Sequence, residues 1–113
     1  MLFRQFFDKI SSTYTYLIAN KKGAEACIID PVLEHIENYL KAIKDLDLKL
    51  VKVIDTHVHA DHVSGISKLR DKTQCITCMG KSQNASEIVS MEVSDNEKLK
   101  IGDLELRALF TPG

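Results

Sequence analysis

The feature that most constrains this chain is an apolar segment that runs directly into a cluster of histidines. Residues 48–56 read Leu-Lys-Leu-Val-Lys-Val-Ile-Asp-Thr. A strand that is apolar on both faces is typical of the interior of a sheet covered by helices. His57, His59, Asp61 and His62 follow at once, in the spacing His-x-His-x-Asp-His. Because ligands of layered α/β proteins bind beyond the carboxyl ends of strands, the cluster is predicted to form a binding site.

The residue types of this cluster indicate a metal site. If the chain is extended at His57 and His59, both side chains leave on the same side and converge on one ion. Asp61 and His62 are adjacent, so they cannot both continue that row, and they turn towards a second position nearby. Imidazole nitrogen suits zinc or ferrous iron, and a carboxylate adds a harder oxygen ligand. The spacing is therefore compatible with one metal ion or with a close pair.

The rest of the chain alternates between strand-like and helix-like segments. The turn signals Asn20-Lys21-Lys22-Gly23 and Gly102-Asp103 predict two hairpins. Strands are expected at 2–7, 12–19, 24–29, 48–56, 74–79, 98–101 and 104–110, helices at 34–47 and 66–71, and a loop with a short element at 80–92. This order predicts an α/β or α+β fold with a layered sheet.

Length and charge narrow the class of protein. The 113 residues are expected to form a single domain over 1–113. The 15 basic and 16 acidic residues are interspersed and give a net charge of -1, which favours neither nucleic acid nor a membrane surface as a partner. No apolar run approaches the ~20 residues that cross a bilayer. The N-terminus lacks the pattern of a signal peptide, so we expect a cytoplasmic protein.

Several other residues have structural interpretations. Cys75 and Cys78 form a Cys-x-x-Cys in a strand-like run, where residues three apart lie on opposite faces and ~10 Å apart. These two thiols and Cys27 are therefore expected to be buried structural cysteines rather than a disulfide or a redox pair. His35 is expected at the surface, near the start of a helix. Lys98 and Lys100 are expected on a solvated strand face.

The motif with its surroundings resembles the metallo-β-lactamase superfamily, and in finer wording its persulfide dioxygenase (sulfur dioxygenase) branch. The branch pattern Asp/Glu-Thr-His-x-His-Ala-Asp-His-x-Ser/Thr-Gly is met in full by residues 55–65. Further similarity lies in Phe3-Arg4-Gln5, in residues 11–16 and 29–34, and in the stretch from Ile101-Gly102 to Thr111-Pro112-Gly113. The resemblance covers essentially the whole chain.

This resemblance implies a fold and an activity. The fold would be the N-terminal half of an αββα sandwich, a mixed sheet with flanking helices. The activity would be oxidation of glutathione persulfide by dioxygen to sulfite and glutathione at a mononuclear Fe²⁺ site. His57 would be the primary ligand, joined in the family by a histidine directly after Thr-Pro-Gly and by a later aspartate. His59, Asp61 and His62 would support that site, whereas in dinuclear zinc relatives they bind metal directly.

Two of the three iron ligands of the family have no counterpart within residues 1–113, so the domain is expected to be truncated and inactive alone. No glutathione-binding residue is assigned. One alternative is a glyoxalase II-like hydrolase, in which two Zn²⁺ ions use all four motif residues to cleave a glutathione thioester. Ala60 and Ser64-Gly65 favour the dioxygenase. A second alternative is a non-catalytic half-domain that acts in assembly, and we expect such a half to dimerise through its exposed sheet face or to be poorly soluble.

Overall fold

A six-stranded mixed sheet forms the centre of this computed structural model, which describes residues 1–10, 12–55, 65–80, 91–93 and 98–107. The strand order is β1-β2-β3-β4-β5-β6. β1 and β2 pair antiparallel, as do β2 and β3, and the pairs from β3 to β6 are parallel. The strands are β1 (Leu2–Asp8), β2 (Thr13–Ala19), β3 (Glu25–Ile29), β4 (Lys49–Asp55), β5 (Ile76–Gly80) and β6 (Met91–Val93).

Two helices lie on one face of the sheet, and a separate hairpin lies on the other. The helices are α1 (Ile36–Asp45), which follows a 3-10 turn at Leu33–His35, and α2 (Ile66–Thr73). The hairpin consists of β7 (Lys98–Ile101) and β8 (Leu104–Arg107), which pair antiparallel. We call the two sides of the sheet the helix face and the hairpin face. The predicted layered α/β architecture is confirmed.

The helix face carries one continuous apolar core. Leu17, Ile28, Val53 and Leu69 have no more than a trace of exposed surface and pack together. The alternation of side chains along β2 and β3 sends one set to this face and the other to the hairpin face. Ile18, Cys27 and Ile101 form a smaller cluster on the hairpin face. β4 was predicted to lie inside a sheet covered by helices; it is interior, but the hairpin rather than a helix covers its second face.

The predicted helix over 34–47 is shorter in the structure, and its end has a clear cause. Asp47 adopts a left-handed conformation with φ 55°. Its N–H bonds to the Lys44 carbonyl at 3.1 Å, and the Leu48 N–H bonds to the Ile43 carbonyl at 2.9 Å. This pair of bonds is a Schellman motif, which satisfies carbonyls at a helix end and stops the helix. Ile43 and Leu48 belong to the same core cluster, which adds the apolar contact that accompanies this motif.

β4 contains one residue more than its neighbour β3 over the same length. Ala26 lies opposite Leu50, whereas Cys27 lies opposite Lys52, so Val51 is an extra residue between them. The core clusters place Leu50 and Val53 on the helix face and Val51 on the hairpin face. The Lys52 ammonium donates to the Lys100 carbonyl of β7 at 2.6 Å, which places Lys52 on the hairpin face as well. The strand therefore bulges there.

The remaining predicted elements agree with the structure where it describes them. The turn before β3 and the turn between β7 and β8 use Gly23 at φ 83° and Gly102 at φ 59°, a conformation that glycine adopts without steric cost. The loop predicted at 80–92 lies outside the described residues for 81–90. Within the described part of the chain, no helix is long and apolar enough to cross a bilayer.

Candidate functional site

The carboxyl ends of five strands, β1 and β3 to β6, meet at one edge of the sheet. β1 runs in the same direction as β3, because each is antiparallel to β2, and β4 and β5 are parallel to β3. Asp8 ends β1, Asp30 directly follows β3 and Asp55 ends β4. All three aspartates are buried, with 8%, 8% and 2% of their surface exposed. Because carboxylates are rarely buried without a structural or functional reason, this edge is the candidate site.

The candidate metal-binding residues begin at this edge. His57, His59, Asp61 and His62 lie outside the described residues, as do all of residues 56–64. Their two flanks are described: Asp55 is the last residue of β4, and Gly65 directly precedes α2. The segment therefore joins the carboxyl end of an interior parallel strand to the start of a helix. Ligands of parallel sheets bind at this place.

A three-residue turn, Asp30-Pro31-Val32, holds both flanks of that segment. The Asp30 N–H donates to the Ile54 carbonyl at 2.7 Å, one residue before β4 ends. The Gly65 N–H donates to the Pro31 carbonyl at 3.0 Å, at the other flank. Two adjacent residues of one turn thus fix where the segment leaves the sheet and where it enters α2. We refer to residues 30–32 as the clamp turn.

Gly65 is required by the close approach of α2 to this turn. A Cβ atom placed on Gly65 would lie 2.6 Å from the Ile36 Cδ1 and 3.4 Å from the Pro31 Cβ. The first distance is shorter than real carbon contacts allow, so a side chain at position 65 would force the end of the Ile36 side chain to shift. The glycine lets the backbone come close enough to the clamp turn for the bond to the Pro31 carbonyl to form.

Two buried hydroxyl groups connect the clamp turn to α1 and β2. Thr15 Oγ1 donates to the Asp30 carbonyl at 2.6 Å and lies 3.1 Å from Tyr39 Oη. The Val32 N–H donates to Tyr39 Oη at 3.0 Å. Burial raises the pKa of Tyr39, and the charges of Asp8 and Glu34 act in the same direction, although the hydrogen bonds with Thr15 and Val32 lower it. Tyr39 therefore stays a protonated donor.

His35 lies directly before α1, at the helix start where the sequence placed it, and makes a contact that the sequence did not predict. Its Nε2 lies 2.9 Å from Asp8 Oδ1, and its side chain is partly exposed, at 33%. The 3-10 turn at Leu33–His35 brings the ring over the end of β1. This contact ties the β1 end of the sheet edge to the segment that leads into α1.

The cysteines occupy the predicted structural positions. Cys27, Cys75 and Cys78 are buried free thiols. Cys75 packs in the helix-face core and Cys78 in a hairpin-face cluster, so the Cys-x-x-Cys is split across the sheet. Burial raises the pKa of Cys27 from an ordinary value of 9.0 to about 12, with a smaller push from Cys78 that Lys52 opposes. Burial also raises the pKa of Cys75. These thiols are poor nucleophiles and poor metal ligands.

The donor set of the candidate segment fits a metal ion. Three imidazoles and a carboxylate at this spacing supply nitrogen and oxygen ligands that suit Zn²⁺ or Fe²⁺. The two flanks of the segment, at Ile54 and Gly65, are held by backbone bonds to the clamp turn. Over the part of the chain that the structure describes, no other group of three or more histidine, cysteine, aspartate or glutamate residues is placed to hold a metal.

Fold, edge and motif together define the class of protein. The family model of the metallo-beta-lactamase superfamily matches residues 9–109, and the chain belongs to that family. Among its relatives is the protein named persulfide dioxygenase ETHE1, mitochondrial, of Homo sapiens, which is 33% identical over 114 residues and spans 100% of this chain. The crystal structure of ETHE1 from Myxococcus xanthus is 41% identical, covers 95% of this chain and has a TM-score of 0.87.

The relatives are longer than this chain and include hydrolases. The chain spans 44% of the Homo sapiens relative and 47% of the Myxococcus xanthus structure, which is less than half of each. A probable hydroxyacylglutathione hydrolase of Schizosaccharomyces pombe is 32% identical over 101 residues, which are 88% of this chain and 39% of that relative. The predicted family and fold are confirmed, and both predicted enzyme classes occur among the relatives.

Sequence reasoning missed the residues that hold the edge together. Thr15 and Tyr39 fall in the strand predicted at 12–19 and the helix predicted at 34–47, but neither was singled out. Asp30 and Pro31 were noted only as part of the resemblance in residues 29–34, and not as a clamp. A buried tyrosine beside a stripe of Ile36, Leu40, Ile43 and Leu46 is a weak signal, because its hydroxyl partners come from other elements.

Proposed function

We propose that this chain contributes a metal site to an iron-dependent persulfide dioxygenase, with glutathione persulfide as the substrate. The observation that carries the proposal is the position of the His-x-His-x-Asp-His segment between Asp55 and Gly65, at the carboxyl edge of the sheet. The similarity to proteins named persulfide dioxygenase supports the choice of reaction. The chemistry is the oxidation of the outer persulfide sulfur by dioxygen and water to sulfite, with release of glutathione as the thiol.

The chain's own residues have defined parts in this proposal. His57 is the primary metal ligand, and His59, Asp61 and His62 either bind metal or hold the ligands in place. When bound, Fe²⁺ supplies open coordination positions for the substrate and dioxygen. The clamp turn binds both flanks of the segment, at the Ile54 carbonyl and at the Gly65 N–H. Fixed flanks leave the segment less conformational entropy to lose when a metal binds, which raises metal affinity.

A glyoxalase II-like zinc hydrolase of glutathione thioesters is the second candidate. It is supported by the relative from Schizosaccharomyces pombe and by a hydroxyacylglutathione hydrolase of Rhodopseudomonas palustris, 30% identical over 106 residues. In that enzyme all four motif residues would hold two Zn²⁺ ions, which activate water for attack on the thioester. The metal and the reaction distinguish the candidates: Fe²⁺ with oxygen consumption, or Zn²⁺ with thioester cleavage.

A third reading is a half-domain that is inactive alone and acts in assembly. It is supported by exposed aromatic surface, because Phe3, Phe7 and Tyr14 are about half exposed on the hairpin face. Under this reading the chain dimerises in solution, and light scattering measures it directly. A soluble monomer that binds metal would contradict the assembly role.

The first experiment measures oxygen uptake with glutathione persulfide after anaerobic loading of the chain with Fe²⁺. His57→Ala is the test variant, and Lys98→Ala is the control, because Lys98 is an exposed side chain of the hairpin and stands outside the motif. Uptake that is lost in His57→Ala and kept in Lys98→Ala supports the dioxygenase. Thioester cleavage with Zn²⁺ and no uptake with Fe²⁺ supports the hydrolase. Neither activity, with a stable dimer, supports assembly.

The compartment is also a proposal. The sequence favours the cytoplasm, whereas the Homo sapiens relative carries the word mitochondrial in its name. Fractionation of cells that express the chain in its natural host decides between the two. Recovery with an organelle fraction would contradict the cytoplasmic prediction.

A further inference from the structure

We infer that Tyr39 is a positioning residue for the metal-binding segment, and that it acts through Thr15 and the clamp turn rather than by touching the metal. The inference rests on the proposed metal site at His57–His62. It assigns a role to a helix residue on α1, an element that has no part in the sequence motif.

The hydroxyl groups form a chain with a fixed direction. Thr15 has one hydroxyl proton, and the 2.6 Å bond to the Asp30 carbonyl uses it. At the 3.1 Å contact between the two hydroxyls, Tyr39 must therefore donate and Thr15 must accept. Tyr39 in turn accepts from the Val32 N–H at 3.0 Å. The order is Val32 N–H to Tyr39, Tyr39 to Thr15, and Thr15 to the Asp30 carbonyl.

This chain of bonds closes on both ends of the clamp turn. It begins at the Val32 amide and finishes at the Asp30 carbonyl, so the turn is held from its first and last residues. The same turn binds Ile54 through the Asp30 N–H and Gly65 through the Pro31 carbonyl. Asp30 also has a positive φ of 57°, which a non-glycine residue keeps only when its surroundings hold it there. Loosening the turn therefore loosens both flanks of the segment.

The hydroxyl of Tyr39 can be separated from its ring. The ring is buried in the helix-face core and meets Phe6 edge to face, with centroids 5.2 Å apart. Phenylalanine at position 39 keeps that ring and that packing. It removes only the two bonds to Thr15 and Val32, and it leaves the Val32 amide in a buried place without its acceptor. The effect of the hydroxyl on the turn can therefore be measured with the core retained.

The experiment compares metal affinity in matched hydroxyl deletions. Tyr39→Phe is the test variant. Tyr14→Phe is the control, because it removes the same group from a half-exposed tyrosine on the hairpin face. Co²⁺ binding is followed by its absorption spectrum, and Zn²⁺ affinity by competition with a chelator. We expect Tyr39→Phe to weaken both affinities about tenfold, near the lower end of what loss of a ligand-supporting contact costs, and Tyr14→Phe to leave them unchanged.

A second pair of variants tests whether the bonds act in series. Thr15→Val should weaken Co²⁺ binding as much as Tyr39→Phe does. The double variant should bind Co²⁺ no more weakly than either single variant, because each substitution breaks the same series of hydrogen bonds. Thr15→Ser keeps a hydroxyl and should bind Co²⁺ like the unaltered chain. If Tyr39→Phe fails to fold, the comparison of Thr15→Val with Thr15→Ser tests the same hydrogen bonds. Amide hydrogen exchange should accelerate at Gly65 and Asp30 in the weakened variants only.

The outcomes separate this inference from the proposed function. An unaltered chain that binds neither Co²⁺ nor Zn²⁺ through His57 contradicts the proposed metal site and the inference with it. An unaltered chain that binds metal, with Tyr39→Phe binding equally well, contradicts the inference alone. Additive losses in the double variant would also overturn it, because they would mean that Tyr39 and Thr15 act independently.

Discussion

The two faces of the central sheet are built from the same strands but packed to different degrees. The helix face carries one continuous core in which Leu17, Ile28 and Leu69 have no exposed surface. The hairpin face carries two small clusters, around Cys27 and around Cys78, and leaves Phe3, Phe7 and Tyr14 about half exposed. The chain's stability is therefore expected to come mainly from the helix face.

The same difference applies to the candidate site. The clamp turn is bonded to Tyr39 on α1 and to Gly65 at the start of α2, both on the helix side. The rigidity of the site's flanks therefore depends on the better-packed face. Each of the following experiments tests this division.

The largest expected effect comes from two neighbours on β2 that face opposite ways. Leu17 packs in the helix-face core and Ile18 in the hairpin-face cluster. Leu17→Ala should lower the free energy of unfolding by about 3–4 kcal/mol, because it leaves a cavity in a closed core. Ile18→Ala should cost about 2 kcal/mol, because the hairpin can settle into the space. Urea unfolding measures both, and equal losses would refute the division between the faces.

Alkaline pH should destabilise the hairpin face through Cys27. The unfolded thiol ionises near pH 9, whereas the folded thiol has a pKa of about 12. Below pH 9 the folded and the unfolded state both keep the thiol proton, so the contribution of Cys27 to the free energy of unfolding is fully present. Between these pKa values only the unfolded state loses its proton, so the free energy of unfolding falls with rising pH, by at most about 1.4 kcal/mol per pH unit.

Cys27→Ala is the control for that pH dependence. In urea unfolding between about pH 9 and about pH 11, the free energy of unfolding of this variant should fall less steeply with pH than that of the unaltered chain. Some fall should remain, since Cys75 and Tyr39 also have raised pKa values and act in the same direction. An unchanged slope in Cys27→Ala would assign the alkaline sensitivity to the helix face instead.

Gly65→Ala tests the contact between α2 and the clamp turn. The new Cβ would meet Ile36 Cδ1 at 2.6 Å, so the variant should lose about 1–2 kcal/mol through overpacking. Adding Ile36→Val removes the clashing methyl and should recover part of the loss. Thermal unfolding of the single and double variants measures this. A double variant less stable than Gly65→Ala would mean that the clash with Ile36 is not the cause.

The smallest effect is expected from another pair of neighbours, on β1. Phe7 stands on the hairpin face, about half exposed, with its ring 4.7 Å from that of Tyr14. Phe7→Ala should cost about 0.5–1 kcal/mol, the value of an exposed ring pair. Phe6→Ala, on the helix face against Tyr39, should cost about 2–3 kcal/mol because its ring is packed on the core. A larger loss for Phe7 would mean that the hairpin face is the more closely packed one in solution.

The sequence predicted most of the elements because their signals are local. The alternation along β7 and β8 and the turn at Gly102-Asp103 lie within a few residues, and they predicted the hairpin. The Cys-x-x-Cys was correctly judged structural, because strand geometry separates its two thiols. The motif of His57 was recognised from its spacing, and its assignment as a metal site stays a prediction.

What the sequence could not supply is the set of contacts between distant segments. Tyr39 and Thr15 are 24 residues apart, and His35 and Asp8 are 27 apart. Each of these pairs joins a helix or turn to a strand end, and no periodic pattern marks such a pairing. The hairpin that covers β4 was missed as a layer for the same reason. An apolar face predicts that something covers it, but not whether a helix or a strand does so.

The bulge at Val51 gives β4 a spare residue just before the candidate site. Strict alternation from Leu50 would send Asp55 to the hairpin face, whereas the extra residue restores it to the helix face, where Val53 also lies. Loss of Val51 would straighten the strand and leave every later side chain on its present side. Loss of Val53 would move the later side chains of β4 to the opposite faces, so that Asp55 would lie on the hairpin face. The strand can therefore lose Val51 without turning Asp55, its last residue, to the other face.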